Sequence, residues 1–165
     1  MRRAAVLALA LIAAPAAAAP DDLSAAALAV HNGERERLGL PPLAWDPELA
    51  AQAAVWARVL TARGRLEHAT REERPGQGEN LSMGTRGAFS ATTMMMWWVN
   101  ERKDYLHRPL PDMSRTGNWK DVGHYTQVVW RGTTAVGCAM ASSREWDYLV
   151  CRYSPAGNWF GELAY

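Results

Sequence analysis

Four side chains in this sequence have the chemistry to hold a divalent metal or to run acid–base catalysis: His68, Glu79, Glu101 and His124. Imidazoles and carboxylates serve both tasks, as metal ligands and as proton carriers. Their separations of 11, 22 and 23 residues form no local ligand signature, so folding must bring them together. Each also has an ordinary reading. His68 follows Leu66 and Glu67 and could be structural, and Glu79, between Gly78 and Asn80, could be a turn residue. His124 opens an apolar run as its polar start. Glu101 is the least ordinary of the four. On a helix it shares a face with Met94, Trp97, Trp98 and Tyr105, where a carboxylate is costly unless something pairs with it. The alternative is a helix end at which Glu101 reaches water.

Familiar catalytic signatures are missing. The chain lacks H-E-x-x-H, G-x-S-x-G and any glycine-rich phosphate loop opening a helix. The run Met94 to Trp98 beside Glu101 could contact an apolar ligand, although plain core is the commoner use of such residues.

The elements that must position these groups are helical first. Periodicity predicts a helix from Leu23 to Leu38, with Leu28, His31, Arg35 and Leu38 on one face and Gly39 as a stop. Pro41 and Pro42 form a rigid connection. Asp46 caps a second helix with Pro47 at its first position, an apolar face of Leu49, Ala53, Trp56 and Leu60, and an end at Gly64. Residues 70 to 78 read as a polar surface loop, and a third helix runs from about Ser90 through Arg102. The stretch from Arg108 to Gly123 reads as irregular. Ala135 to Ala141 and Trp146 to Tyr153 read as two strands of a hairpin joined by Ser142 to Glu145. Helices followed by strands indicate an α+β class.

The first 19 residues read as a secretory signal: Arg2 and Arg3, an apolar run from Ala4 to Ala14, then small residues up to a cut after Ala18 or Ala19. Eleven apolar residues are too few to span a bilayer, and the mature chain offers no other candidate for a membrane span. Without that segment the balance is 18 − 2 = 16 basic against 17 acidic residues, with no Lys/Arg run, which excludes an electrostatic footprint for nucleic acid. The expected location is therefore secreted, either extracellular or periplasmic. In such an oxidising setting the two cysteines, Cys138 and Cys151, read as a bridge across the hairpin. Closing so short a loop contributes about 3 kcal/mol in the chain-entropy model.

Four ordered segments then carry a resemblance. Gly123-His124-Tyr125-Thr126-Gln127-Val128-Val129-Trp130-Arg131-Gly132-Thr133 resembles the first signature of the CAP superfamily, the cysteine-rich secretory, antigen 5 and pathogenesis-related 1 proteins. The run Tyr148 to Trp159 resembles the second signature. His31-Asn32-Gly33-Glu34-Arg35 is similar to the family's H-N-x-x-R helix, and Gly78-Glu79-Asn80-Leu81 to its G-E-N motif. The likeness spans residues 23–165 as one CAP (SCP) domain, with a closing run most like the plant pathogenesis-related 1 end. The chain departs from many relatives in having cysteines for one disulfide, and it lacks their Cys-rich extension. An Ala-rich leader and sparse disulfides point by composition to a bacterial member.

The resemblance implies a three-layer α-β-α sandwich with a small antiparallel sheet between helices. It implies that His68, Glu79, Glu101 and His124 form one open cleft, with the two histidines able to hold a divalent cation such as zinc. It further implies a binding module for a lipid, sterol or other small apolar ligand, since some relatives bind sterols or fatty acids. A metal-assisted hydrolase or protease is a second reading, with Glu79 or Glu101 as general base and His68 and His124 on the metal. A wall or glycan binder is a third, prompted by eight tryptophans; exposed Trp at the cleft rim would favour it.

Overall fold

The computed structural model describes residues 23–165; the expected signal segment, 1–19, lies outside them. Helix α1 is Leu23–Arg37, β1 is Ala44–Trp45, α2 is Pro47–Arg63 and β2 is Gly78–Thr85. Helix α3 is Ala91–Asn100 and continues as one 3-10 turn, Glu101–Asp104; α4 is Gly123–Val128, β3 is Ala135–Ser142 and β4 is Trp146–Ser154.

The strands form one sheet in the order β1-β3-β4-β2. The three long strands are antiparallel, and the two-residue β1 adds a parallel edge beside β3. Helices cover both faces, as the α-β-α expectation requires. Period-two alternation along β4 sends Tyr148 and Val150 to one side, where Leu81 and the α2 residues Ala53, Trp56, Ala57 and Leu60 close a core. It sends Leu149, Cys151 and Tyr153 to the other side, against Met94, Met95 and Trp98 of α3 and Tyr125 and Val128 of α4. Cys138 and Cys151 are bonded and directly opposed across β3 and β4.

Helix α2 starts and stops where the sequence indicates. The Asp46 carboxylate accepts from the Glu48 and Leu49 amides, Pro47 occupies the first turn, and Gly64 closes the end at φ 68°. The start of α2 lies directly on β3. A Cβ on Gly137 would stand 2.2 Å from the Ala50 amide nitrogen, so glycine permits this approach.

Three expectations need correction. The loop expected over 70 to 78 ends one residue earlier, because strand β2 starts at Gly78, and Glu79 is therefore a strand residue, not a turn residue. This segment has few β-branched residues, but pairing with β4 over Gly78↔Tyr153 to Thr85↔Trp146, with helices on both faces, overrides local propensity. Helix α3 ends at Asn100, and the 3-10 turn takes Glu101 and Arg102. Within the stretch expected to be irregular, Trp119–Val122 is a 3-10 turn followed by α4, a helix too short for its periodicity to show.

Candidate functional site

The four chemical side chains form two imidazole–carboxylate pairs. His68 lies in the loop after α2, which is pinned where the Trp56 indole donates to the Glu67 carbonyl at 3.0 Å. Its Nδ1 is 2.7 Å from Glu79 Oε1, an oxygen that also accepts from the Ala69 amide at 3.1 Å. His124 stands at the start of α4. Its Nδ1 is 2.6 Å from Glu101 Oε1, while Glu101 Oε2 accepts from the His124 and Tyr125 amides at 3.0 Å each. Glu101 thus satisfies the first free amides of α4 and orients the ring in one contact set. That resolves its position on an apolar face: the carboxylate is paired.

Behind each pair stands a buried support. Arg152, 2% exposed, brings Nε to 2.9 Å from Glu79 Oε2, an ion pair that lacks hydrogen-bond alignment and is therefore mainly Coulombic. Asn80 points to the opposite face of β2 from Glu79. Its Nδ2 donates to the His124 carbonyl at 3.0 Å and to the Tyr153 hydroxyl at 3.1 Å. The Tyr153 hydroxyl in turn meets His31 Nε2 at 2.8 Å, and His31 Nδ1 donates to the Ala27 carbonyl at 2.7 Å. The Ala27 carbonyl can only accept, so Nδ1 carries the proton, and Nε2 of the neutral ring accepts from the Tyr153 hydroxyl, whose oxygen accepts from Asn80. Burial lowers the His31 pKa to about 4, with the Arg35 charge acting the same way and the Ala27 carbonyl opposing it.

A cleft of about 690 Å³ opens at this end of the sheet, with His68, Glu79 and His124 on its wall and Trp119, Trp159 and Phe160 among its lining. Glu101 is one contact back, behind His124. All four carboxylate oxygens of Glu79 and Glu101 are engaged, which weighs against either as a free general base. What the cleft does expose is nitrogen. With Nδ1 held by a carboxylate, which can only accept, the neutral form of each ring presents Nε2 as an acceptor, and no hydrogen bond to either Nε2 is formed among the described residues. Two imidazole nitrogens suit a borderline-soft cation such as zinc. Among the described residues no group of three or more His, Cys, Asp or Glu could enclose a metal, so the donor set fits only an open site completed by water or ligand.

Residue-level reading missed the supporting roles of Arg152, Asn80, Tyr153 and His31. All four lie in the segments that carried the family resemblance, but their partners are 73 and 122 residues distant in the cases of Asn80 and His31, beyond any local pattern.

A family model described as the cysteine-rich secretory protein family, CAP, matches residues 28–153. Pathogenesis-related leaf protein 4 of Solanum lycopersicum is 38% identical over 139 residues, covering 84% of this chain and 80% of that protein. Venom allergen 3 of Solenopsis invicta is 39% identical over 137 residues, covering 76% of this chain and 57% of that protein. Among solved structures, the crystal structure of NaASP2 with Zn2+ has a TM-score of 0.74 at 23% identity, covering 93% of this chain and 90% of that one. The structure of BmVAL-1 gives 0.73 at 25% identity over 93% and 86%. The bacterial origin expected from composition has no support in these sequence relatives, which come from a plant and an insect.

Proposed function

The chain belongs to the cysteine-rich secretory protein (CAP) family, and from that premise we propose an extracellular binding module whose cleft holds an exchangeable divalent cation between His68 and His124. The observation that carries this reading is the matched anchoring of the rings. Each Nδ1 is fixed on a carboxylate and each Nε2 is left without a protein partner. Carboxylate-supported imidazole is the arrangement that orients histidines as metal ligands. The bound cation would supply positive charge and open coordination positions for an anionic ligand. The leader-like residues 1–19 favour an extracellular setting, and among the described residues no helix is long and apolar enough to cross a membrane.

Calorimetric titration of zinc tests the proposal. Wild type is expected to bind one equivalent, and His124→Ala to lose it. Glu101→Gln is the sharper probe, because its amide can donate to His124 Nδ1 and move the ring proton to Nε2, closing the ligand. Affinity is expected to fall about 10- to 100-fold, the usual effect of losing such a partner. A wild type that takes up no zinc removes the reading.

A second reading rests on a groove of about 370 Å³ between α1 and α3, lined by Ala29, Val30, Met96 and Val99, with Arg102 and Glu34 ion-paired at 3.1 Å at its edge. An acyl chain fits an apolar groove, and its headgroup would meet the ion-paired edge. A fluorescent palmitate analogue is expected to bind wild type and to be excluded by Ala29→Trp, which fills the groove from an exposed position. Equal binding by both proteins would count against this groove as the lipid site.

A further inference from the structure

We propose that the rim of the cleft is a binding site for an acidic oligosaccharide, with sugar rings stacked on Trp159 and Trp119 and the acid groups met by Arg71, Arg74 and Lys120. The aromatic residues carry the first half of the argument. Trp159 is 47% exposed and Phe160 67% exposed, although burying such rings in the core would be favourable. They are nevertheless held rigidly. The Trp159 indole donates to the Ala156 carbonyl at 2.9 Å. Asn158 adopts φ 59°, a conformation that non-glycine residues rarely take. Its side chain secures the turn to α4, donating to the Gly123 carbonyl at 2.8 Å and accepting from the Thr126 hydroxyl at 2.7 Å. Trp119 lies against Gly123, where a Cβ would come within 3.2 Å of the ring, and meets the Phe160 ring edge-on at 6.0 Å. Trp159 and Phe160 thus face solvent and Trp119 is half-buried beside them; anchored aromatic planes with an open face are stacking platforms.

Charge carries the second half. Arg71, Arg74 and Lys120 all line the cleft, and none forms an ion pair with a described residue. Arg71 sits over the Trp159 ring at 6.0 Å, and Arg74 is pinned to the Ala69 and Gln77 carbonyls at 2.9 and 2.7 Å. Among the described lining residues the carboxylate is Glu79, already engaged by Arg152 and His68. The cleft is therefore cationic on a chain whose overall charge is nearly balanced. A ring platform flanked by cations matches a sugar that carries carboxylate or sulfate. An acyl chain has no use for three cations, and a nucleic acid needs a phosphate-tracking stripe that this balanced chain lacks.

The inference does not depend on a bound cation, so it is read in the presence of chelator. Tryptophan fluorescence is titrated with trigalacturonic acid, a sulfated trisaccharide, maltotriose and a short single-stranded DNA. At least one acidic sugar is expected to give saturable binding while maltotriose does not, and the stronger acidic response identifies the acid group. Arg71→Ala with Lys120→Ala is expected to weaken that binding about tenfold, in line with two partly exposed charge contacts. Measured by calorimetry, because these variants remove a reporter ring, Trp159→Ala should abolish it with the circular dichroism spectrum unchanged, and Trp159→Phe should retain part of it. Binding of the neutral sugar at equal strength, tighter binding of DNA, or sugar binding seen only with added zinc would each overturn the proposal.

Discussion

Replacing Arg35 with methionine is expected to destabilise the fold by about 4–5 kcal/mol, measured as equilibrium urea unfolding. This guanidinium is 1% exposed and is not paired with a carboxylate; it donates instead to four backbone carbonyls. Nε reaches the Pro41 oxygen at 2.7 Å, Nη1 those of Val128 and Trp130 at 3.1 and 2.9 Å, and Nη2 that of Thr133 at 3.1 Å. One side chain on α1 therefore ties down the proline connection, the end of α4 and the loop into β3. Methionine approximates the shape of the stem and removes the guanidinium from all four oxygens; the Trp130 carbonyl keeps the Thr133 amide at 3.1 Å, while those of Pro41, Val128 and Thr133 lose this donor. Burial lowers the Arg35 pKa only to about 10, so the charge is present at neutral pH and every bond is charge-assisted. Since whole domains are stable by about 5–15 kcal/mol, a loss of this size approaches the total. Arg35→Lys should recover only part of it, because an ammonium has no planar fork. A loss below about 1 kcal/mol would show that water satisfies the carbonyls.

Acid should destabilise the protein through His31. In the fold this imidazole stays neutral until the pH falls to about 4, whereas in the unfolded chain it takes up a proton near 6.5. Between those values the unfolded chain binds more protons, so stability falls as the pH drops through the window. The contribution is fully present above 6.5 and lost by 4, at most about 3 kcal/mol for 2.5 pH units. Glu34 acts in the same sense at lower pH. Burial alone would raise its pKa, but hydrogen bonds from Arg37 and Tyr125 and the Arg37 and Arg102 charges hold it down. Urea unfolding at pH 7, 5.5 and 4.5 measures the slope, and His31→Gln should flatten it above pH 5. An unchanged slope in that variant would assign the acid sensitivity elsewhere.

How much was legible depended on whether the signal was local. Asp46, Pro47 and Gly64 announced α2 because a cap and a stop act within one turn. The hairpin and its cysteines were readable for the same reason, with alternation and a short connection lying side by side in the sequence. Strand β2 was not readable, since Gly78 to Thr85 becomes a strand through its partner β4, some 60 residues later. Helix α4 was hidden by its length, and its start is completed by Glu101 from another element. The four chemical residues could be named individually, but residue spacing could not show that they sort as His68 with Glu79 and His124 with Glu101. That sorting is set by the sheet and by α4. The cationic, aromatic rim was least visible, because Arg71, Lys120 and Trp159 come from three separate segments.

Neighbouring positions on β2 face opposite sides, so Glu79 serves the His68 half of the cleft while Asn80 serves the His124 half. The two halves are therefore indexed to each other by a single peptide unit. Insertions or deletions in the polar loop ahead of Gly78 leave that index intact, whereas one residue inserted between Glu79 and Asn80 would turn both side chains to the same face and leave one half of the cleft unserved. Along any lineage of this sequence, length should drift in the loop and stay fixed in the dipeptide.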